Sequence, residues 1–323
     1  MYQTINLVSE NRSLARFADP QALRDFAASC GVDGLEVIRC GEDERGIVTP
    51  DQVIGVHLVF YSDWLDFWRG DEARLRAKFG SPAVVEQLYS CRDREGYIAQ
   101  FRADMDYAKR MGARYVVFHV SDVSIEEGYI HRWEHTDKEV IDASCELLNL
   151  LTDGADYDFE LLLENLWWPG FRFTDPATTE YMLSRVHYPK TGIMLDTGHL
   201  LHTNTALRDE AEGIAYIHRC LDAHGSLAKY VRGFHLNQSI TGAYVEEALK
   251  HVPPIDPDYF KAFAESYGHI RQIDKHQPFT DPAIRGVLER VAPAYVTHEL
   301  GAGSDEEKRA VTLRQRAAMG PQS

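Results

Sequence analysis

The stretch Gly192-Ile-Met-Leu-Asp-Thr-Gly-His199 decides how this chain is read, because an apolar run ends abruptly in a carboxylate and, three residues on, an imidazole. Apolar residues running into Asp196 read as a buried strand that delivers a side chain at its C-terminal tip. Thr197-Gly198 then turns the chain and sets His199 beside it. A carboxylate and an imidazole placed together at a strand end serve either as metal ligands or as an acid–base pair.

The same kind of segment recurs along the chain. Strand candidates are Thr4–Val8, Gly34–Ile38, Val53–Leu58, Tyr115–His119, Glu160–Glu164, Gly192–Asp196, Val231–His235 and Tyr295–Glu299. Helical patterns over about Pro20–Ser29, Pro82–Met111, Lys138–Leu151, Pro176–Val186 and Leu207–His224 separate most of them, and a polar helix closes the chain. Regular alternation of this kind predicts a parallel sheet, and eight such strands predict a TIM (β/α)8 barrel rather than an open sheet. No Gly-x-Gly-x-x-Gly follows the first strand, which counts against a dinucleotide fold. No repeat, low-complexity tract or linker divides the chain. The expectation is one barrel domain over residues 1–323, with a long insertion between the seventh and eighth strands at about 237–273.

Composition narrows the partners. The formal net charge of −16 repels phosphate backbones and anionic membrane surfaces, which counts against nucleic acid as a partner. No run reaches membrane-spanning length, and the N-terminus lacks a basic region followed by an apolar one. The five cysteines are widely spaced and free of Cys-x-x-Cys, which suits reduced thiols in a cytoplasmic protein.

The chemistry lies in the strand ends. His57, His119, Glu164, Asp196, His235 and Glu299 terminate successive strands from the third to the eighth. In a TIM barrel those ends converge on one mouth, so six ligand-type side chains point at a common centre. Asp274-Lys-His276, in the connection before the last strand, presents a carboxylate and an imidazole on one side of an extended loop, and His199 completes a set of nine. His131, His135, His202 and His298 are read as surface or supporting groups, His298 because it neighbours Glu299 and so faces the other side of its strand. Glu36 is compatible with a salt bridge at the barrel rim. Trp64, Trp167 and Trp168 follow the third and fifth strands and either wall a substrate pocket or pack loop against helix.

The motifs Val-Val-Phe-His119, Leu-Leu-Glu164-Asn, Leu-Asp196-Thr-Gly-His199, Gly-Phe-His235-Leu-Asn and His-Glu299-Leu resemble those of the xylose isomerase-like TIM barrels, which include sugar isomerases, epimerases and endonuclease IV. Within that superfamily, Glu164, Asp196, His235 and Glu299 are similar to the single-metal set of epimerases and dehydratases. The addition of His57, His119, His199, Asp274 and His276 resembles the full ligand set of endonuclease IV, a three-zinc phosphodiesterase. That resemblance implies up to three divalent ions, most naturally Zn, with Mn, Fe or Mg as other choices. His57, His119 and Glu164 would hold one, Glu164 would bridge to a second held by Asp196, His235 and Glu299, and His199, Asp274 and His276 would hold the third. Three divalent ions against four carboxylates leave about +2, which attracts an anion. It further implies metal-assisted hydrolysis, with a bridging hydroxide attacking in line and Glu164 or Glu299 handling the proton.

The chain also departs from endonuclease IV. It carries the longer insertion, reads His276-Gln-Pro-Phe where further histidines and a Gly-Glu-Gly element are expected, and shows no basic DNA-gripping loops. The leading expectation is therefore a phosphoesterase acting on a small anionic or phosphorylated substrate. The alternatives are a sugar or sugar-phosphate isomerase or epimerase with one metal and a Glu164/Glu299 proton relay, and a non-catalytic metal or ligand binder. Repair of DNA ranks last.

Overall fold

In the computed structural model, which describes residues 1–320, β1 (Tyr2–Ser9) pairs in parallel with both β2 (Gly34–Arg39) and β8 (Tyr295–His298), and this closes the sheet on itself. Between them β3 (Val53–His57), β4 (Tyr115–His119), β5 (Glu160–Glu164), β6 (Thr191–Asp196) and β7 (Val231–His235) follow in chain order. The result is the predicted (β/α)8 barrel, with helices around it.

Alternation along each strand sorts the side chains into layers. Leu35, Val116, Leu161, Leu163, Ile193, Leu195, Phe234 and Val296 belong to the large core between sheet and helices. Tyr115, Val117, Leu162, Met194 and Tyr295 form a separate cluster that plugs the lower barrel. Gly55 and Gly233 make room for it: an added Cβ would lie 2.2 Å from the Tyr115 ring and 2.8 Å from the Met194 sulfur. With the lower barrel filled by apolar side chains, the inward positions above it are left for the polar strand ends.

The helices start where the sequence provides caps. Asp19, Asp93 and Asp175 accept backbone N–H groups at the starts of Pro20–Ser29, Arg94–Met111 and Pro176–Arg185, and Thr136 with Glu139 forms a capping box on Asp137–Thr152. The helix expected over Pro82–Met111 is two, Pro82–Tyr89 and Arg94–Met111. Ser90 adopts a left-handed φ of 51°, and Asp93 restarts the chain as an N-cap, which overrides the apolar periodicity. The aromatic loop after β3 also holds short helices, Leu65–Arg69 and Glu72–Phe79.

The 237–273 insertion contains helices Gly242–Ala248 and Tyr259–Ile273. Val245 and Ile273 pack with Val123, Leu166, Trp167 and Trp168 in an apolar cluster of their own. At its other end Tyr259 meets Phe79 edge-on at 4.8 Å. The longer helix thus runs from the segment after β3 to Asp274, over one side of the barrel mouth. Among the described residues no helix is long and apolar enough to cross a membrane, and all five cysteines are unpaired.

His298 does face outward from β8, but it is buried rather than at the surface. Its Nε2 lies 2.8 Å from Gln3 Oε1, and its Nδ1 is 2.9 Å from Gln315 Nε2 on the closing helix Asp305–Met319. Burial pushes its imidazole down to about 3 from 6.5. The folded state therefore resists a proton that the unfolded chain accepts, so this contribution is present above pH 6.5 and is lost as pH falls toward 3. Denaturant unfolding across that window is expected to show a slope of about 1.4 kcal/mol per pH unit from this group, and a comparison with His298→Gln should find that slope removed.

Candidate metal centre

The inward side chains at the C-terminal tips of β3 to β7 are His57, His119, Glu164, Asp196 and His235. Glu299 stands one residue beyond β8, His199 lies in the helical turn Thr197–His202 after β6, and Asp274 and His276 follow the insertion helix. All nine converge as three groups, His57/His119/Glu164, Glu164/Asp196/His235/Glu299 and His199/Asp274/His276, with donor atoms in each group within 4.8 Å of one another.

Glu164 joins the first two groups through different oxygens. Its Oε2 lies 3.3 Å from His57 Nε2 and 3.2 Å from His119 Nε2, and its Oε1 lies 3.2 Å from His235 Nδ1. His235 Nδ1 is also 2.9 Å from Glu299 Oε2 and 4.0 Å from Asp196 Oδ2. In the third group Asp274 Oδ2 is 3.3 Å from His199 Nε2 and 2.7 Å from His276 Nε2.

The outer hydrogen bonds fix which ring nitrogens are bare. A backbone carbonyl can only accept, so the Nδ1 atoms of His57, His199 and His276 donate to Leu58 O (2.8 Å), Asn165 O (2.9 Å) and Glu299 O (2.8 Å). His235 instead donates Nε2–H to Glu36 Oε2 at 3.0 Å. Each ring then turns a lone pair toward a carboxylate oxygen, a contact that is attractive only with a proton or a cation between them. Both Glu164 oxygens, Glu299 Oε2 and His235 Nδ1 are buried without a hydrogen-bond partner. Convergent nitrogen and oxygen donors of this kind, without sulfur, fit divalent cations such as zinc, manganese or iron.

The ionisation pattern has the same cause. Burial alone would push His199 down, but Asp196 and Asp274 hold it well above its usual range; His235 is raised against burial by Glu164, Glu36 and Glu299. Burial opposes charge on His276 too, yet Asp274 brings it up to about 10. Burial pushes Asp196 up to about 7.

Asp196 is held on every side. Its Oδ1 caps the following turn by accepting from His199 N at 2.7 Å, and its Oδ2 accepts from Asn237 Nδ2 at 2.9 Å. Its backbone pairs with the Asn165 side chain at 2.8 and 3.0 Å. Gly198 is required here, because a Cβ would fall 1.9 Å from Asn237 Oδ1. The Asp-Thr-Gly-His motif is thus a cap, a gap and a second ligand-type group in four residues.

Residues 24–281 match the family of xylose isomerase-like TIM barrels. The chain belongs to that family. Solved structures of the same fold include an IolI protein with a binding zinc atom (13% identity, TM-score 0.54, covering 98% of this chain and 96% of that one). A D-tagatose 3-epimerase-like protein (13%, 0.53, 99% and 98%) and an L-ribulose 3-epimerase (11%, 0.50, 98% and 93%) are also similar. At such identities the likeness establishes the fold. None of the curated proteins matches by sequence.

His202, read as a surface or supporting group, is a supporting one in this xylose isomerase-like barrel: its Nε2 lies 3.2 Å from Asp274 Oδ1, and its ring is 4.7 Å from that of Trp167. Other groups escaped the sequence reading. Glu36 lies inside the barrel, not at its rim, bound to His235, Tyr115 and Thr297. Asn165 and Asn237 stood in the quoted motifs but carried no pattern that marks an orienting role. Of the three tryptophans, Trp64 is taken up by packing, with its N–H on Ser121 O at 2.8 Å and its ring stacked on Tyr97. Trp167 lies 5.2 Å from the His199 ring and 4.2 Å from Trp168.

Among the described residues a fourth group, Asp66, Glu134 and His135, also has metal-like spacing. It already holds cations: Lys78 Nζ is 2.8 Å from Asp63 and 2.7 Å from Asp66, and Arg74 Nε is 2.9 Å from Asp66. This buried network ties the segment after β3 to the loop after β4, where Asp122 accepts from Trp64 N and Leu65 N. Lys78→Met leaves buried Asp63 without its cation and takes one of two from Asp66, which keeps Arg74, and is expected to cost about 3–5 kcal/mol, measured as a shift in the denaturation midpoint.

Proposed function

We propose that this protein is a metal-dependent hydrolase of phosphoric esters acting on a small anionic substrate. The observation that carries the reading is the third group. His199, Asp274 and His276 converge beside the four residues that a one-ion isomerase needs, and Glu164 offers its remaining oxygen to His57 and His119. Divalent ions held by these residues would polarise a phosphoryl oxygen and provide a nucleophile at neutral pH.

The chain's own groups divide the remaining work. Glu164 has both oxygens against imidazoles and is a holding group. Glu299 keeps 17% of its side chain exposed, so it is the carboxylate placed to accept and return a proton. His202 and Ser239 steady Asp274. Counting Glu36, three divalent ions against five carboxylates leave the site about +1, still attractive to an anion on an acidic protein. The insertion helix and the Trp167–Trp168 cluster narrow the mouth, which favours a small substrate over duplex DNA.

A second reading, a sugar or sugar-phosphate isomerase or epimerase, rests on the group Glu164, Asp196, His235 and Glu299 taken alone. It needs Glu164 and Glu299 both free to relay a proton, and the engagement of Glu164 by four imidazoles counts against it.

Protein purified without chelators is expected to release p-nitrophenol from mono- and bis-(p-nitrophenyl) phosphate, with His276→Ala lowering turnover by about 100-fold through loss of an ion. Solvent deuterium entering a ketose, with His276→Ala leaving that exchange intact and no ester cleaved, would establish the isomerase instead.

A further inference from the structure

Neither β1 nor β2 contributes to the three groups at the mouth, yet β2 places one carboxylate beneath them. Glu36 is fully buried inside the barrel. Its Oε2 receives three bonds, from His235 Nε2 at 3.0 Å, Tyr115 OH at 2.9 Å and Thr297 Oγ1 at 2.9 Å. Its Oε1 has no partner. Thr297 is itself bonded to Thr4 at 2.9 Å, so the carboxylate is positioned from β1, β4, β7 and β8 together. None of these partners is a lysine or arginine. A buried carboxylate paired only with an imidazole and hydroxyls adds little to folding over an apolar side chain of the same size, which points to a role beyond stability.

The contrast with the other rings supplies that role. His57, His199 and His276 lean on backbone carbonyls, whereas His235 alone leans on a carboxylate. A carboxylate behind an imidazole fixes the ring's orientation and makes the opposite nitrogen a stronger donor.

Building on the metal-centre reading, we infer that Glu36 is a positioning residue that sets the affinity of one ion, the one shared by Glu164, Asp196, His235 and Glu299. Glu36 holds the Nδ1 lone pair of His235 on that position and strengthens it through the ring. The other two positions are independent of Glu36.

The test is Glu36→Gln, which keeps the size and an accepting oxygen but removes the charge. Zinc retained per chain is measured by dialysis against a graded series of chelator concentrations, and the melting temperature of the chelator-stripped protein is recorded alongside. One ion is expected to leave at 10- to 100-fold lower chelator strength, with the others held as in the wild type and the stripped protein still melting in one cooperative transition. Should Glu36→Gln not fold, Tyr115→Phe removes one of the bonds holding Glu36 and should weaken the same ion to a smaller degree. Equal retention of every ion, or loss of all of them with a lowered melting temperature, overturns the inference. A wild type that takes up no zinc overturns the metal-centre reading itself, and so differs from failure of the Glu36 inference alone.

Discussion

The arrangement depends on one unfavourable contact: bare imidazole nitrogens pressed against buried carboxylate oxygens. Glu164 is the extreme case, with each oxygen facing imidazole nitrogens and no hydrogen-bond donor of its own. Such a carboxylate is tolerable only with positive charge between the partners. The outer shell shows which kind of charge it suits. In His57, His199, His276 and His235 a carbonyl or Glu36 already takes one ring proton, so the inward nitrogen is the one left to meet a cation.

The barrel makes this arrangement possible. Lower inward positions carry Tyr115, Leu162, Met194 and Tyr295, and the polar side chains are raised to the mouth, where five adjacent strands each deliver one. The insertion then adds what the strands cannot. Its helix Tyr259–Ile273 ends at Asp274, and Ser239 Oγ accepts the backbone N–H groups of Lys275 and His276 at 2.8 and 3.1 Å. His276 itself has a left-handed φ of 47°, which turns its ring back toward Asp274. The third group is therefore built by the same segment whose helix crosses one side of the mouth.

Much of this was legible because a strand ending in a ligand-type residue is a local pattern. β4, β5 and β7 match the sequence reading residue for residue, and Asp196 with His199 pointed to the centre before any other strand did. Glu36 could not be placed, since its partners His235 and Thr297 lie 199 and 261 residues away and one apolar-flanked glutamate gives no sign of them. His202 and His298 were left as surface or supporting groups for a related reason: a histidine near a helix or strand end looks alike whether water or a buried partner faces it. The break at Ser90 was hidden because the helices on either side continue one periodicity. Trp64 was indistinguishable from Trp167 by composition, and only the hydrogen bond to Ser121 shows that it packs inside the aromatic core.

Ions held by the nine residues at three positions, and not at the four-residue group alone, would be seen by anomalous scattering from crystals of protein purified without chelators, recorded on both sides of the zinc, manganese and iron edges. Separate peaks are expected between His57, His119 and Glu164, between Glu164, Asp196, His235 and Glu299, and between His199, Asp274 and His276. A single peak confined to the second position, in protein given excess metal, would rule out the three-position centre.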